Sequence, residues 1–324
     1  MSTPDPTSRR PASVPVGPAK PRIGVVGLGH MGQAFASNLI VDGHDLTAYD
    51  QSPERVAELE RLGAHAASRL ADLAGCSVVL TSVPDDEALF NITEGPGGLL
   101  DVLARGAIHL SMSTVSSTIS RRLAEAHLHR GQHYVAAPVL GNPDLARARQ
   151  VFVIAAGPPA ALAAVRPLLE RLGQKLFVVG EAAESANLLK LAGNVLTATT
   201  LQSMGETLAL LQKRGIDPHL AYEVFTQSLF DSRVHRTYGG KIVDGRYRPA
   251  GMAVPLAVKD LRLALAEAEI AAVPMPVASL VHDRLVAMLA RGWADLDWAA
   301  LGLLAAFEAG LGEEGRPEGP ASTA

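Results

Sequence analysis

The sequence predicts an α/β domain built on a doubly wound, mostly parallel sheet, followed by an all-helical domain arranged around one long central helix. Three observations support this fold class. Short apolar segments alternate with helical patterns up to about residue 180, no strand pattern follows Ala183, and Ala186–Arg214 is apolar over nearly its whole surface. Regular alternation of strands and helices is typical of parallel α/β sheets.

The elements of the first domain follow from local signals. A helix over Met31–Val41 ends at Asp42-Gly43, and a second begins at Ser52-Pro53, where Ser suits the N-cap and Pro the first turn. The predicted strands are Ile23–Gly27, Asp45–Tyr49, Val78–Ser82, Ala107–Ser111, Tyr134–Ala137, Val151–Ala156 and Lys175–Val179.

The second domain contains only helical patterns. The predicted helices are Ala186–Arg214, Pro218–Thr226, Val258–Ala271, Val277–Ala290 and Trp298–Leu311. A helix that is apolar nearly all round is buried on several sides. Because the 130 residues of 183–312 surround such a helix only partly, we expect a second subunit, in a homodimer or homotetramer. Residues 1–20 and 313–324 are expected to be a disordered leader and a flexible tail around domains 21–182 and 183–312.

Composition excludes several classes of protein. The chain has 324 residues, 48% of them hydrophobic and 19% charged, with a formal net charge of −4, which disfavours a disordered chain or a nucleic-acid partner. No apolar run approaches the length of a membrane helix, and the Arg9-Arg10 pair lacks the apolar segment of an export signal. A single cysteine, Cys76, excludes an internal disulfide and a cysteine-built metal cage, and we predict no metal site. A cytoplasmic enzyme with a small-molecule substrate is expected.

A glycine-rich loop follows the first predicted strand and opens the first helix. It consists of Gly27, Leu28, Gly29, His30, Met31 and Gly32. In a Rossmann-type domain the three glycines allow a tight turn, close approach of a pyrophosphate and close packing of helix on strand. Asp50, which ends the next strand 18 residues after Gly32, is placed to accept hydrogen bonds from the adenosine ribose. The order of these parts predicts dinucleotide binding.

Asp50 also bears on the choice of cofactor. Its carboxylate repels a 2′-phosphate, and Gln51 follows where NADP enzymes often carry Arg, although Arg55 lies one helical turn away. We therefore expect NAD, with NADP possible.

Within the long apolar helix, Lys190, Asn194 and Thr197 fall on one face. Burial of an ammonium is costly and lowers its pKa towards neutrality, which suits a proton donor and acceptor. The spacing alone fits equally a lysine that reaches solvent at the domain boundary beside a capping asparagine.

Several motifs together resemble the β-hydroxyacid dehydrogenase family, which includes 3-hydroxyisobutyrate dehydrogenase, tartronate semialdehyde reductase and glyoxylate reductase. The similarity runs from Arg22 to about Leu311. The motifs that carry it are Gly27–Gly32, Ser82–Asp86, Ser111–Thr114, Ala136–Gly141, Asn187–Asn194, Glu206 and Val258–Leu261.

The resemblance implies roles for individual residues. Lys190 matches the catalytic lysine that protonates the carbonyl oxygen as hydride arrives, Asn194 matches a substrate-binding asparagine, and Thr114 matches a hydroxyl that contacts cofactor or substrate. Without the resemblance, Ser113-Thr114 would suit a helix N-cap equally well.

Further positions match the family's cofactor contacts. Val83-Pro84 matches a loop that lines the cofactor, Ser113 lies beside the nicotinamide, and Lys259 matches a lysine that reaches the cofactor from the helical domain, with Asp260 packed beside it. From the residues alone, Lys259-Asp260 would be a solvated helix face.

The substrate loop departs from the family pattern, which usually has a Ser followed by two glycines. Here Ala136 stands where the family pattern begins with Asp, Leu140 replaces the Ser and Asn142 replaces the second Gly. Backbone donors at Gly141 and Asn142 remain as candidate substrate ligands. This departure indicates a substrate that is larger, less polar, or not a simple hydroxy acid.

The predicted function is NAD(P)-dependent hydride transfer to or from a small hydroxy acid or aldehyde. An imine reductase of the same superfamily and a catalytically silent dinucleotide sensor are the alternatives; the family's imine reductases generally lack a lysine at the position of Lys190. Three other clusters carry less weight as sites. The histidines 127, 129 and 133 are discounted as a metal site, and Arg233, His235 and Arg236, which could bind an anion, fit a polar surface loop better. The segment Trp293–Trp298 fits mainly helix capping with aromatic packing, although it could also rim the cleft.

Overall fold

A computed structural model describes residues 21–311, so the expectations for 1–20 and 312–324 lie outside the described residues. Nine strands form one sheet in the order β3-β2-β1-β4-β5-β6-β8-β7, with β9 paired to β8. The strands are β1 (Ile23–Val26), β2 (Leu46–Tyr49), β3 (His65–Ala66), β4 (Val78–Thr81), β5 (Ile108–Ser111), β6 (His133–Ala136), β7 (Val139–Leu140), β8 (Phe152–Ala156) and β9 (Lys175–Gly180).

The sheet is mainly parallel, as predicted. β1 lies at its centre between β2 and β4, and all four of its residues are buried, as expected for a strand covered by helices on both faces. The exceptions are β6 and β7, which pair with β8 in the antiparallel sense. The sequence analysis missed the two-residue strands β3 and β7, which are too short to show a period.

Seven helices accompany the sheet. They are α1 (His30–Val41), α2 (Pro53–Glu60), α3 (Asp86–Glu94), α4 (Leu99–Val102), α5 (Ser117–His129), α6 (Pro143–Arg147) and α7 (Pro159–Leu172). Three of these helices are capped by the side chain of the preceding residue: Asp85 caps α3, Ser116 caps α5 and Asn142 caps α6. The cap of α5 is therefore Ser116, not Ser113 or Thr114.

The remainder of the described chain is helical. Its helices are α8 (Glu184–Lys213), α9 (Pro218–Thr226), α10 (Arg233–Val243), α11 (Val254–Ile270), α12 (Pro276–Ala290) and α13 (Leu301–Glu308). A 3-10 turn at Trp298–Ala300 precedes α13 where the sequence predicted one continuous helix from Trp298. The predicted polar loop around Arg233 is wrong, because Arg233, His235 and Arg236 form the first turn of α10, which Ser232 caps.

The long helix α8 joins the two halves. It packs on β8 and α5 of the sheet half and on α9–α13 of the helical half. Its apolar surface is only partly covered within one chain, since Leu188, Leu189 and Leu196 remain exposed. None of the helices within residues 21–311 combines the length and apolar character needed to cross a membrane.

Candidate active site

A cleft of about 580 Å³ lies between the sheet and the helical half. On the sheet side it is bordered by the loops that follow β1, β4 and β5. The order of strands reverses between β1 and β4, and ligands of doubly wound sheets bind at such a point, beyond the carboxyl ends of the strands.

The glycine loop has the geometry of a pyrophosphate cradle. A Cβ on Gly32 would lie 1.9 Å from the Gly27 carbonyl oxygen, so this glycine permits the close approach of α1 to β1. A Cβ on Gly29 would have nothing within 4 Å, which leaves open space in front of the loop. No side chain caps the N-terminus of α1, so its first N–H groups are available to an anion. These features fit the diphosphate of NAD(P).

The glycine loop divides into exposed and buried positions. Gly27, Gly29, His30 and Met31 line the cleft. Leu28 is buried and its backbone N–H donates to Asp50 Oδ2 at 2.6 Å. Leu28 therefore holds the loop against the end of β2 through its backbone.

Asp50 follows the last residue of β2 and lines the cleft. Its other oxygen accepts the N–H of Ser52 at 2.8 Å. Arg55 Nη1 lies 3.6 Å from Asp50 Oδ1, so this guanidinium faces the cleft beside the carboxylate. The sequence analysis treated Arg55 as one turn away; the structure shows that the first turn of α2 brings it to the same point.

Lys259 joins the helical half to two loops of the sheet half. Its ammonium donates to the carbonyl oxygens of Pro84 at 2.8 Å and of Thr114 at 2.6 Å. The Val83 N–H donates to Ser113 Oγ at 2.9 Å, which links the same two loops a second time. All five residues line the cleft, so the structure brings these predicted cofactor contacts together.

A chain of buried polar groups crosses the floor of the cleft. Lys190 Nζ donates to Asn194 Oδ1 at 2.9 Å, and Asn194 Nδ2 donates to Asp260 Oδ2 at 2.5 Å. Asp260 Oδ1 lies 3.0 Å from Lys259 Nζ. The carboxylate fixes which end of the Asn194 amide faces Lys190. The sequence analysis placed Asp260 only beside Lys259 and did not connect it to Asn194.

Lys190 combines burial with access to the cleft. Only 8% of the residue is exposed, yet it is among the lining residues. Burial lowers the pKa of Lys190 to about 8, against the opposing effect of the Asp260 charge. An amine with this pKa exists in both forms near neutral pH, as proton transfer in both directions requires. Thr197 does not extend this chain, because its hydroxyl donates to the Gly193 carbonyl oxygen of its own helix.

The substrate loop also borders the cleft. Gly141 and Asn142 line it, and Asn142 Oδ1 accepts the Leu145 N–H as the cap of α6. Leu140 is directed at α8: a Cβ on Gly193 would lie 2.8 Å from Leu140 Cδ2. The residue that departs most from the family pattern therefore packs against the helix that carries Lys190 and Asn194.

Aromatic and apolar side chains of the helical half close the cleft. The sequence offered a place at the cleft rim only for the segment that contains Trp298. Tyr238, Met252, Leu256 and Trp298 line the cleft, with the rings of Tyr238 and Trp298 edge to face at 5.7 Å. Buried Asp297 accepts the N–H groups of Ala299 and Gly251, which caps the 3-10 turn as expected and also holds the cleft wall.

The histidine cluster does not form a metal site. His127 is buried while His129, two residues later on α5, is exposed, as the helical geometry predicts. Over residues 21–311 no group of three or more His, Cys, Asp or Glu side chains is arranged to hold a metal ion.

Two family models match the chain. Residues 22–180 match the NAD binding domain of 6-phosphogluconate dehydrogenase, and residues 185–304 match the model described as NAD-binding of NADP-dependent 3-hydroxyisobutyrate dehydrogenase. The chain therefore belongs to the β-hydroxyacid dehydrogenase family of NAD(P)-dependent oxidoreductases.

Individual proteins support the same assignment. An uncharacterized oxidoreductase of Bacillus subtilis is 39% identical over 86% of this chain and 98% of its own length. A 3-hydroxyisobutyrate dehydrogenase of Pseudomonas aeruginosa is 31% identical over 81% of this chain and 90% of its own. The crystal structure of 3-hydroxyisobutyrate dehydrogenase from Salmonella typhimurium shares the fold, with a TM-score of 0.80 at 24% identity over 88% of this chain and 100% of the other.

Proposed function

We propose that this protein transfers a hydride between NAD(P) and a small hydroxy acid or aldehyde, with Lys190 as the general acid and base. The observation that carries the proposal is a buried lysine with a lowered pKa, which faces the cleft within hydrogen-bond distance of Asn194. Bound nicotinamide would supply or accept the hydride. In reduction, Lys190 gives its proton to the carbonyl oxygen, and in oxidation its neutral amine takes the proton of the alcohol.

The remaining residues bind and orient. Asn194 contacts the same substrate oxygen as Lys190, and the Gly141 and Asn142 N–H groups hold the distal part of the substrate. Val83, Pro84, Ser113, Thr114 and Lys259 hold the nicotinamide half of the cofactor. Gly27–Gly32 holds the diphosphate and Asp50 the adenosine ribose. The open space at Gly29 and the uncapped start of α1 support the diphosphate position.

We propose NAD as the preferred cofactor, because Asp50 repels a 2′-phosphate. Arg55, 3.6 Å from Asp50, offers a countercharge that keeps NADP usable. Arg55→Ala should lower kcat/KM with NADPH several-fold and leave the value with NADH nearly unchanged. A wild-type preference for NADPH would contradict the assigned role of Asp50.

We propose that the protein is a homodimer or a dimer of dimers in the cytoplasm. The exposed leucines of α8 support oligomerisation, since a second subunit would bury them and stabilise the assembly by roughly 25 cal/mol per Å² of apolar surface removed from water. The buried free thiol of Cys76 is compatible with a reducing compartment. Light scattering that gives the 33.9 kDa of a monomer at micromolar concentration would contradict the dimer.

One screen tests the proposed reaction. Purified protein is assayed with NADH and NADPH against small aldehydes and keto acids, and with the oxidised cofactors against the corresponding alcohols. Cyclic imines are included as the alternative substrates. Turnover of aldehydes that Lys190→Ala abolishes supports the proposal. Faster turnover of imines, or cofactor binding without turnover, would contradict it.

A further inference from the structure

The half of the cleft beyond Lys190 is apolar and aromatic. Away from the glycine loop, the lining of the cleft includes the substrate-loop residues Gly141 and Asn142 and a wall formed by Val139, Pro143, Tyr238, Met252, Leu256 and Trp298. Burial raises the pKa of Tyr238 to about 12, so its hydroxyl stays neutral at physiological pH. This wall offers contact area and neutral hydrogen-bonding groups.

The lysines near this wall are already paired. Lys241 Nζ lies 2.6 Å from the buried Asp297 carboxylate, close to Gly251. Lys259 donates to two backbone carbonyl oxygens and lies 3.0 Å from Asp260. Lys190 is the proton donor of the proposed reaction. Lys241 and Lys259 each lie within ion-pair distance of a buried carboxylate that balances their charge, so among the described residues of this wall a distal carboxylate finds no unbalanced cation apart from Lys190.

The substrate loop likewise offers little to an anion. Leu140 supplies no hydroxyl and packs on α8 at Gly193. Asn142 Oδ1 is committed to the Leu145 N–H, so the loop's remaining donors are its Nδ2 group and backbone N–H groups. These donors suit a neutral carbonyl or hydroxyl oxygen as well as a carboxylate.

We infer that the preferred substrate is an uncharged aldehyde or alcohol whose distal group is apolar or an ester, amide or ether, and that Leu256, Met252, Tyr238 and Trp298 select it. The inference rests on the proposed function. A carboxylate placed against this wall would lose its hydration without gaining an ionic partner, whereas an apolar group would gain from leaving water. 3-Hydroxyisobutyrate, named for the Pseudomonas relative, carries such a carboxylate. This chain would therefore differ from that relative in substrate charge.

The test compares each acid with its methyl ester, which keeps the reacting carbon and removes the charge. The panel contains 3-hydroxyisobutyrate, 3-hydroxypropionate, glyoxylate and succinic semialdehyde with their esters, and kcat/KM is measured with the whole protein and saturating cofactor. We expect the esters to exceed the acids by tenfold or more. Equal or better use of the acids overturns the inference and leaves the proposed reaction intact.

A new cation on the wall should reverse the preference. Leu256→Arg is expected to raise kcat/KM for the acids at least tenfold without raising it for the esters. Leu280→Arg is the matched control, because Leu280 is an exposed leucine outside this cleft, in a groove near the end of α8. No change with Leu256→Arg would show that this wall does not contact the distal group. Absence of turnover with every acid and every ester would instead overturn the proposed function itself.

Discussion

Two of the buried polar networks within residues 21–311 make an instructive pair, because both contain titratable groups and only one of them has hydrogen-bond donors left over at a cavity. One connects Lys190, Asn194 and Asp260 at the floor of the cleft. The other connects His109 of β5 and His127 of α5 inside the sheet half, where both residues are completely buried. Both bury groups that are charged in water at some accessible pH, so burial alone does not distinguish them.

The histidine network is closed at both ends. Gln132 Nε2 donates to backbone carbonyl oxygens at the end of α4, so Gln132 Oε1 accepts from His127 Nδ1 at 2.8 Å. His127 Nε2 must then accept from His109 Nδ1 at 2.9 Å, and His109 Nε2 accepts from the Thr81 hydroxyl at 2.9 Å. Burial lowers the pKa of both rings and so favours their neutral forms, in which each ring has one N–H and one acceptor in use.

The lysine network is closed at one end only. Asp260 is held by Asn194 and Lys259, whereas the described bonds of Lys190 occupy one of its three N–H donors. The other donors are available towards the cleft. The comparison shows that a candidate catalytic group is distinguished by spare hydrogen-bonding capacity at a cavity, in addition to a lowered pKa.

The largest effect on activity is expected from replacement of Lys190, the end of the lysine network that faces the cleft. Lys190→Ala should lower kcat by about 10²–10⁴, the usual contribution of a general acid or base. Cofactor affinity, measured by fluorescence titration with NADH, should change little because the glycine loop and Asp50 are untouched. Near-normal turnover would show that the spare donors of Lys190 take no part in the reaction.

The pH dependence of oxidation should follow the same lysine. Burial lowers the pKa of Lys190 to about 8, and the neutral amine is the base for alcohol oxidation. The oxidation rate should therefore rise with pH and level off above about 8, while the reduction rate should fall over the same range. An oxidation rate that is flat from pH 6 to 9 under saturating conditions would contradict Lys190 as the base.

Asp260→Asn tests the closed end of the lysine network. The change removes the negative charge that raises the pKa of Lys190, so the midpoint of the oxidation profile should move to lower pH. It also allows the Asn194 amide to rotate, and we expect kcat to fall about tenfold with a smaller change in KM. A fall in kcat with an unmoved midpoint would indicate that Asp260 acts on packing alone.

The sequence predicted the local parts of this arrangement better than the non-local ones. Helix α9 begins and ends at the predicted residues, because Asp217 and Pro218 form a complete start signal within the segment. The glycine loop and Asp50 were equally predictable, since their order along the chain indicates a dinucleotide-binding unit. The pairing of Asn194 with Asp260 spans 66 residues, and no local pattern predicts it.

Helix α10 shows why a local rule failed. Gly239 and Gly240 lower its helix propensity, which favoured a loop. A Cβ on Gly239 would lie 2.2 Å from Met204 Cε, the flexible end of that side chain, and 3.0 Å from the Tyr222 ring, so glycine eases the close packing of α10 on α8 and α9. The same residue that weakens the helix in isolation allows its packing in the fold. Tyr238, at the cleft wall, was missed for this reason.

The histidine network gives the smallest effect on activity and a measurable effect on stability. Burial lowers the pKa of His109 well below its usual range and that of His127 to about 4, with Glu94 nearby as an opposing charge. Both histidines have a pKa of about 6.5 in the unfolded chain, which therefore binds more protons than the folded chain below that pH. The free energy of unfolding should fall as the pH drops from about 6.5 towards 4, by up to about 1.4 kcal/mol per pH unit for each histidine.

His127→Gln removes one of these titrations and keeps both hydrogen bonds, since a glutamine accepts from His109 and donates to Gln132. In urea unfolding at pH 7, 6 and 5, the free energy of unfolding of this variant should depend less steeply on pH than that of the wild type, by a slope equivalent to up to one bound proton. The value of kcat at pH 7 should stay within about twofold, because the network does not reach the cleft. His129→Gln on the exposed face of α5 is the matched control and should leave the slope unchanged. Equal slopes for wild type and His127→Gln would mean that His127 is protonated in the folded protein, and the neutral, closed network assigned to it would be wrong.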